Sequence, residues 1–306
     1  MCKAFFTGIF LLSAAALPAQ QSKTDTSMLD KNHIIARNAR LTQISNQFRF
    51  TEGPATDNAG NVYFTDQPNN RIWKYSVGDS LSLFMEPSGR ANGMFFDRNG
   101  RLIACADENN ELWAISLKSK TYTVLVSGFE GKKLNGPNDV WASPAGHLYF
   151  TDPYYQRDYW TRKESELDGH KVYILKIGAK KPVIADDQLV KPNGIIGSAD
   201  GKNLFVADID DNKTYKYDIA ADGSLTNRRL FCGQGSDGMT IDTKGNIYLT
   251  GKGVTVYDAG GKKIAHIPVD EEWTGNVCFA GKNRDLLFIT ASKSVYTLQM
   301  NVRGQW

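Results

Sequence analysis

The heptapeptide GHLYFTD, residues 146–152, decides the fold, because variants of it recur along the whole chain. Each variant begins at a turn and continues as a short run of apolar and aromatic residues. The other copies are GNVYFTD at Gly60, GRLIACAD at Gly100, GKNLFVAD at Gly201, GNIYLTG at Gly245 and a degenerate NRDLLFITAS from Asn283 to Ser292. The chain therefore contains six versions of one unit, roughly 40 to 55 residues apart where the glycine is present.

Each unit offers about four short strands, and helical periodicity is nearly absent. Repeats of this length are typical of propeller blades, which bury their apolar faces against one another. The sequence predicts an all-β, six-bladed β-propeller with four antiparallel strands per blade. The signatures of WD40 and kelch blades are missing. An all-β sandwich is the main alternative, and the regular repeat disfavours it.

The segment NARLTQIS, residues 38–45, indicates one more strand before the first unit. We expect it to pair into the last blade, which would close the ring and remove exposed strand edges. The predicted organisation is a signal peptide over residues 1–20, a tail with the ring-closing strand over 21–45, and the propeller over 46–306.

The N-terminus has the three parts of a signal peptide. Lys3 precedes an apolar run over residues 4–16, and a cleavage site follows near Ala19 or Gln20. The run is too short for a comfortable membrane span. We expect an exported protein, periplasmic or secreted, with no membrane span; a buried first helix is the alternative.

Composition excludes several partners and chemistries. The 306 residues include 36 basic and 33 acidic side chains, and a net charge of +3 gives no electrostatic case for nucleic acid or a membrane surface. Beyond the leader, Cys105, Cys232 and Cys278 make no disulfide framework, and neither CxxC nor HExxH occurs. The GxGxxG match over residues 233–238 does not open a helix. The expected partner is a small-molecule substrate; no oligomeric state is indicated.

A polar residue that can present an oxygen stands eight positions before each of the five repeat glycines. These residues are Glu52, Asn92, Asn138, Asn193 and Asp237. One structural position recurs around the axis in a ring of repeated units, so we expect the five side chains to meet at a common centre. The alternative is that they only form turns at strand starts. That turn role is the one we assign to Asp57, Asp97 and Asp242.

Four members of this set match the needs of a divalent cation. The expected ligands are Glu52, Asn138, Asn193 and Asp237. They supply two carboxylates and two amide carbonyls, which are hard oxygen donors. We expect one divalent cation, calcium first, with magnesium, manganese or zinc as alternatives. Asn92 is expected to contact substrate or water.

Four longer stretches carry a family resemblance. They are FTEGPATDNAGNVYFTD, LNGPNDVWASPAGHLYFTDPYY, KPNGIIGSADGKNLFVAD and GSDGMTIDTKGNIYLT. From about Phe48 to Tyr296 the chain resembles the SMP-30/gluconolactonase/LRE-like family. The resemblance implies a six-bladed propeller with a divalent metal on its axis, held by Glu52 in TEGP, Asn138 in PND, Asn193 in PNG and Asp237 in SDG. The arginine of vertebrate members two residues before the PND asparagine is not matched, because Gly136 stands there.

The resemblance also implies an activity, since many members hydrolyse sugar lactones. We expect a metal-dependent lactonase of the gluconolactonase type, in which Asp237 is catalytic and orients or deprotonates the attacking water. Direct attack by the Asp237 carboxylate is the second option. The alternatives are an organophosphate or other ester hydrolase on the same metal site, and a non-catalytic propeller that binds a sugar acid.

The longest interval between repeats contains PYYQRDYWTRKESELDGH, residues 153–170. We expect this insertion to project over the metal face and to bound the substrate pocket; a solvated surface loop is the alternative. The residues expected to bind substrate are Asn92, Asn135, Tyr154, Tyr155 and Arg157. Tyr159 and Trp160 are further candidates for stacking on a ligand ring, and Arg162 is a candidate for binding an acid group.

Overall fold

The computed structural model describes residues 30–305. These residues form 24 strands in six four-stranded antiparallel sheets, which are the blades of a propeller. The predicted six-bladed fold is confirmed. The signal peptide predicted for residues 1–20, and the export that it implies, lie outside the described residues and stay predictions. Within residues 30–305, no helix has the length and apolar character needed to cross a membrane.

The first three blades follow one another along the chain. The chain enters through β1 (Thr42–Ser45), and blade 1 then consists of β2 (Thr51–Thr56), β3 (Val62–Asp66), β4 (Arg71–Tyr75) and β5 (Leu81–Met85), with a 3-10 turn at Gln67–Asn69. Blade 2 consists of β6 (Ala91–Phe96), β7 (Leu102–Ala106), β8 (Glu111–Ile115) and β9 (Tyr122–Val126). Blade 3 consists of β10 (Val140–Ala142), β11 (Leu148–Asp152), β12 (Lys171–Leu175) and β13 (Val183–Asp186).

The last three blades complete the ring. Blade 4 consists of β14 (Pro192–Gly197), β15 (Asn203–Asp208), β16 (Lys213–Ile219) and β17 (Leu225–Cys232). Blade 5 consists of β18 (Met239–Ile241), β19 (Ile247–Gly251), β20 (Gly253–Tyr257) and β21 (Lys263–Ile267). Blade 6 consists of β22 (Thr274–Ala280), β23 (Leu286–Ala291), β24 (Ser294–Gln299) and β1.

Ring closure occurs where the sequence predicted it. The N-terminal β1 pairs antiparallel with β24, with Thr42 opposite Thr297 and Gln43 opposite Tyr296. Blade 6 therefore takes one strand from the beginning of the described chain and three from its end. Because each partner strand satisfies the other's backbone groups, this pairing ties the two ends of the ring together.

The apolar core lies between neighbouring blades. One cluster joins Trp141 of blade 3, Val206 of blade 4 and Leu249 of blade 5. The second strands β3, β7, β11 and β19 are buried along their whole length, since blades cover both of their faces. Continuous apolar runs therefore replace the alternation of a half-exposed strand. The thiols Cys105, Cys232 and Cys278 are buried and form no disulfide among residues 30–305.

The turn between the first two strands of a blade explains the repeat glycine. Its φ lies between 70° and 94° in all five glycine-containing copies, a conformation that favours glycine. An aspartate stabilises the same turn, since Asp57 Oδ1 accepts hydrogen bonds from the N–H groups of Ala59 and Asn61 at 3.0 and 2.9 Å. Asp97 and Asp242 make the same contacts. The predicted turn role of these aspartates is confirmed.

Close approach of the inner strands requires glycine directly after several of the predicted ring residues. A Cβ at Gly53 would lie 2.0 Å from the carbonyl oxygen of Asn92, and one at Gly194 would lie 2.7 Å from that of Asp237. Both clashes are with the backbone of the neighbouring blade, so no side-chain movement would relieve them. The glycines therefore allow the blades to meet at the axis.

Gly53→Ala is expected to lower the free energy of unfolding by about 3 kcal/mol or more, because the new Cβ overlaps backbone at a positive φ. Gly100→Ala is the matched control: its φ of +74° is also positive, but nothing lies within 4 Å of the new Cβ. Its expected cost is about 1 kcal/mol. Urea unfolding measures both; equal losses would contradict close approach as the reason for Gly53.

Candidate metal centre and substrate cavity

A cavity of about 230 Å³ lies on the axis where the inner strands begin. The polar residues selected by the repeat all line it. They are Glu52, Asn92, Asn138, Asn193 and Asp237, here called the axial ring. Each residue comes from a different blade, from blade 1 to blade 5. The structure thus brings together five side chains that are far apart in the sequence.

Blade 6 contributes Gly275 at the corresponding position. The N–H of Asn276 donates to a threonine hydroxyl of the next strand, as the N–H of Asp139 does in blade 3, so Gly275 corresponds to Asn138. A Cβ at Gly275 would lie 2.8 Å from Glu52 Oε1. The Glu52 side chain therefore occupies space that Gly275 leaves. The degenerate sixth repeat lacks the glycine that would have revealed this position.

Glu52 and Asp237 are the acidic members of the axial ring. Burial raises the pKa of Glu52 well above its usual range, and repulsion by Asp237 raises it further, against a hydrogen bond from the Gly53 N–H. Burial raises the pKa of Asp237 to about 6, although hydrogen bonds from Trp273 and Asn193 lower it. Ionisation of both carboxylates therefore calls for a compensating positive charge.

Two amide oxygens of the axial ring are buried without a partner. Asn92 Oδ1 and Asn193 Oδ1 accept no hydrogen bond from the described residues. The Asn193 amide is held because its Nδ2 donates to the Tyr155 hydroxyl at 3.1 Å. A buried acceptor left unpaired costs about 1–3 kcal/mol. A cation or a polar ligand in the cavity would supply the missing partner.

The donor set fits a hard divalent cation. Within residues 30–305, no three His, Cys, Asp or Glu side chains are grouped as metal ligands. A cation here would therefore depend on amide oxygens together with the carboxylates of Glu52 and Asp237. Oxygen-only donors suit calcium or magnesium and not thiolate-seeking metals. The axial ring is compatible with the predicted ligands, whose metal-binding role stays a prediction.

Trp273 lines the same cavity and orients Asp237. Its Nε1 donates to Asp237 Oδ2 at 2.7 Å, which restrains the carboxylate and leaves Oδ1 for other contacts. Trp273 lies in the connection between β21 and β22, outside the repeated motif. No periodic signal in the sequence therefore pointed to it.

The acidic residue after the apolar run of the repeat holds the chain that leads to the axial ring. In blades 1, 3 and 4 it accepts the backbone N–H groups two and three positions before the ring residue, at 2.7–3.2 Å. These residues are Asp66, Asp152 and Asp208. In blade 2 the side chain of Asn70 takes this task, accepting from the Arg90 N–H at 2.8 Å. The blade 2 aspartate, Asp107, is therefore free for other contacts.

Asp107 holds the insertion, residues 153–170. Its Oδ2 accepts hydrogen bonds from Arg157 Nε and the Tyr159 hydroxyl, both at 2.7 Å. Trp160 Nε1 donates to its backbone carbonyl at 2.9 Å. An insertion that belongs to blade 3 is thus fixed to blade 2 beside the cavity, and it is not a freely solvated loop.

The residues predicted to bind substrate divide into two groups. Asn92, Tyr155 and Arg157 line the cavity, whereas Asn135 and Tyr154 do not. Asn135 is fully buried, and its Nδ2 donates to two backbone carbonyls at 3.0 and 2.9 Å. Its amide therefore holds the chain, and the expectation that Asn135 binds substrate stays a prediction.

The other aromatic residues of the insertion hold it together. The Tyr154 hydroxyl donates to Gln156 Oε1 at 2.5 Å, and the Tyr154 ring packs against Trp160. The guanidinium of Arg162 lies 4.3 Å from the centroid of the Trp160 ring. Tyr154, Tyr159 and Trp160 do not line the cavity, and the expectation that they stack on a ligand stays a prediction.

Comparison with known proteins identifies the class to which this propeller belongs. Residues 50–293 match the SMP-30/Gluconolactonase/LRE-like region. The chain is therefore a member of that family, as its sequence motifs predicted. The match extends from just before the ring residue of blade 1 into blade 6.

Individual relatives include lactonases. The gluconolactonase of Zymomonas mobilis is 26% identical over 290 residues, covering 85% of this chain and 81% of the relative. The structure of a gluconolactonase from Xanthomonas campestris has a TM-score of 0.84 at 25% identity, covering 94% of this chain and 98% of that one. A calcium-binding regucalcin from Agrobacterium tumefaciens shares the fold, with a TM-score of 0.71 at 18% identity and coverage of 86% and 94%.

Asp107→Ala is expected to release the insertion and to lower the free energy of unfolding by about 3 kcal/mol, because a buried ion-pair partner is removed. Trypsin should then cut after Arg157, Arg162 or Lys163 faster than in the wild type. Asp222→Ala is the control, since its ion pair with Lys176 is exposed and worth at most about 1 kcal/mol. Mass spectrometry locates the cuts; wild-type cleavage in Asp107→Ala would contradict the anchoring role.

Proposed function

We propose that this chain is a metal-dependent lactonase that opens the ring of a sugar lactone. The observation that carries the proposal is the axial ring, in which oxygen-bearing side chains from five blades meet in one cavity. Two of its buried amide oxygens lack a partner among residues 30–305, as expected of a site built for a ligand. Membership of the family and similarity to gluconolactonases support a lactone as substrate.

The cation would be held by the side chains that the repeat and the family motifs select. They are Glu52, Asn138, Asn193 and Asp237, with calcium as the first choice for an oxygen-only site. When bound, a divalent cation polarises the lactone carbonyl and offsets the negative charge that develops on its oxygen. The chain preorganises these donors, because the Gly53 N–H holds Glu52 and the Tyr155 hydroxyl holds Asn193.

Asp237 is the residue to which we assign proton transfer. It accepts a proton from the attacking water, whose oxygen forms a bond to the carbonyl carbon. The bond between that carbon and the ring oxygen then breaks, and the proton passes to the ring oxygen as the new hydroxyl. Trp273 keeps Asp237 oriented through Oδ2, and we assign the contact with the water to Oδ1.

Tyr155 supplies a neutral hydrogen-bond donor at the cavity wall. Burial raises the pKa of its phenol far above its usual range, and repulsion by Asp237 raises it further. The phenol therefore keeps its proton at neutral pH. Its oxygen accepts from Asn193, and within residues 30–305 no acceptor takes its own proton. That proton is available to an oxygen atom of the substrate.

Removal of divalent cations is expected to slow lactone hydrolysis at least about hundredfold, because the charge on the carbonyl oxygen would lose its compensation. Protein treated with a chelator and protein loaded with calcium are compared on glucono-δ-lactone in a pH-stat, with spontaneous opening subtracted. A full rate without metal would contradict the metal role. Hydrolysis of phosphotriesters but of no lactone would favour the ester-hydrolase alternative, and turnover of neither would favour a binding propeller.

Asp237→Asn is expected to lower kcat at least about hundredfold at saturating cation, because an amide oxygen can coordinate a cation but accepts no proton. Glu52→Gln is the companion variant: it should act through cation occupancy and recover partly in excess cation. Kinetics over a range of cation concentrations, with calorimetry for affinity, separates the two effects. Full activity of Asp237→Asn at saturating cation would show that Asp237 only binds the cation and transfers no proton.

A further inference from the structure

We propose that Arg157, positioned by Asp107, binds an anionic group of the substrate, so that the preferred lactones carry a carboxylate at the end remote from the reacting carbonyl. The inference rests on the proposed lactonase function and adds the chemical class of the substrate. It follows from the place where blade 2 departs from the repeat and from the distribution of charge around the cavity.

The terminal nitrogens of Arg157 are available to a ligand. Arg157 lines the cavity and donates through Nε to Asp107 at 2.7 Å. Among residues 30–305, Asp107 is the acceptor that this guanidinium uses, and 23% of the Arg157 side chain remains exposed. A planar guanidinium with free terminal N–H groups is well suited to bidentate binding of a carboxylate.

Asp107 holds Arg157 firmly because other donors hold Asp107. The Tyr159 hydroxyl donates to the same oxygen at 2.7 Å, and Gln67 Nε2 does so at 3.2 Å. The Asp107 side chain is only 1% exposed, so water does not compete with these donors for its carboxylate. An arginine that is ordered before binding loses less side-chain entropy when it meets an anion. Asp107 is therefore a positioning residue, and Arg157 is the residue that contacts substrate.

The two sides of the cavity differ in charge. Glu52 and Asp237 lie in the axial ring, where one divalent cation would balance them. On the insertion side, the guanidinium carbon of Arg157 lies 5.6 Å from the centroid of the Tyr155 ring. Lys191 Nζ lies 4.2 Å from the same centroid, but Lys191 is paired with Asp210 at 3.5 Å and does not line the cavity. A lactone whose carbonyl meets the axial ring would present its remote end to the terminal nitrogens of Arg157.

Gly136 leaves the space in which the insertion meets Asp107. A Cβ at Gly136 would lie 2.6 Å from Asp107 Oδ1 and 2.8 Å from Cη2 of Trp160. A side chain at this position is incompatible with the anchor at Asp107. Gly136 therefore permits the contact with Asp107 that positions Arg157.

The test compares glucono-γ-lactone with glucaro-γ-lactone, which differ in carrying a hydroxymethyl group or a carboxylate at the carbon farthest from the carbonyl. The measured quantity is the ratio of their kcat/KM values in calcium-loaded protein. Wild type should favour glucaro-γ-lactone about tenfold or more, and Arg157→Gln should reduce the ratio about tenfold, because a charge-assisted hydrogen bond is lost. Lys163→Gln removes one charge from an exposed position of the insertion and should keep the wild-type ratio.

A wild-type ratio near one would overturn the inference and leave the lactonase function standing. An equal loss on both lactones in Arg157→Gln, or the same fall in Lys163→Gln, would also overturn it. If wild type opens neither γ-lactone, turnover of glucono-δ-lactone decides the proposed function, and calorimetric binding of gluconate and glucarate decides the inference separately. Tighter binding of glucarate that depends on Arg157 supports it; equal binding overturns it. Thermal unfolding verifies that each variant is folded.

Discussion

The convergence of six inner strands on one axis is the constraint on which this structure depends. It leaves so little space that glycine follows the ring residue in blades 1, 2, 4 and 5, where any Cβ would meet a neighbouring blade. Blades 3 and 6 have Asp139 and Asn276 at the position where the other four blades have glycine. Asn276 Nδ2 donates across the axis to Asp139 Oδ2 at 3.4 Å. A polar pair from blades 3 and 6 therefore spans the axis beside the glycines of the other four blades.

The anchoring of the insertion shows how a repeat position can change its task without leaving buried groups unpaired. The strand-end aspartates satisfy backbone N–H groups that would otherwise be buried without partners. In blade 2 the side chain of Asn70 accepts such an N–H group, that of Arg90, and Asn70 has a left-handed backbone conformation with φ 58°. Asp107 is thereby released, but a carboxylate so deeply buried needs donors of its own. Arg157 and Tyr159 supply them, so the insertion and Asp107 stabilise each other.

The parts of this structure that depend on spacing could be predicted from the sequence. Each ring residue stands eight positions before a repeat glycine in five copies, and this constant spacing predicted that the five side chains share one radial position. The number of copies predicted the number of blades. Trp273 and Gly275 escaped prediction, since one lies between repeats and the other in a copy that lacks the glycine. The direction of the insertion was predictable, but the role of Tyr159 was not. Its contact with Asp107 joins two blades, and sequence spacing does not encode it.

The placement of charge in the axial ring follows from the same crowding. Glu52 in blade 1 and Asp237 in blade 5 flank blade 6, where Gly275 leaves a gap that a glutamate is long enough to enter. The two carboxylates then lie close enough for Asp237 to raise the pKa of Glu52. A divalent cation between them would turn this repulsion into attraction. Blades 2, 3 and 4 contribute amides, which add oxygen donors without adding charge. The four predicted ligands therefore carry two charges, which one divalent cation can neutralise, whereas the nearby carboxylate of Asp139 accepts hydrogen bonds from the Val140 N–H and Asn276.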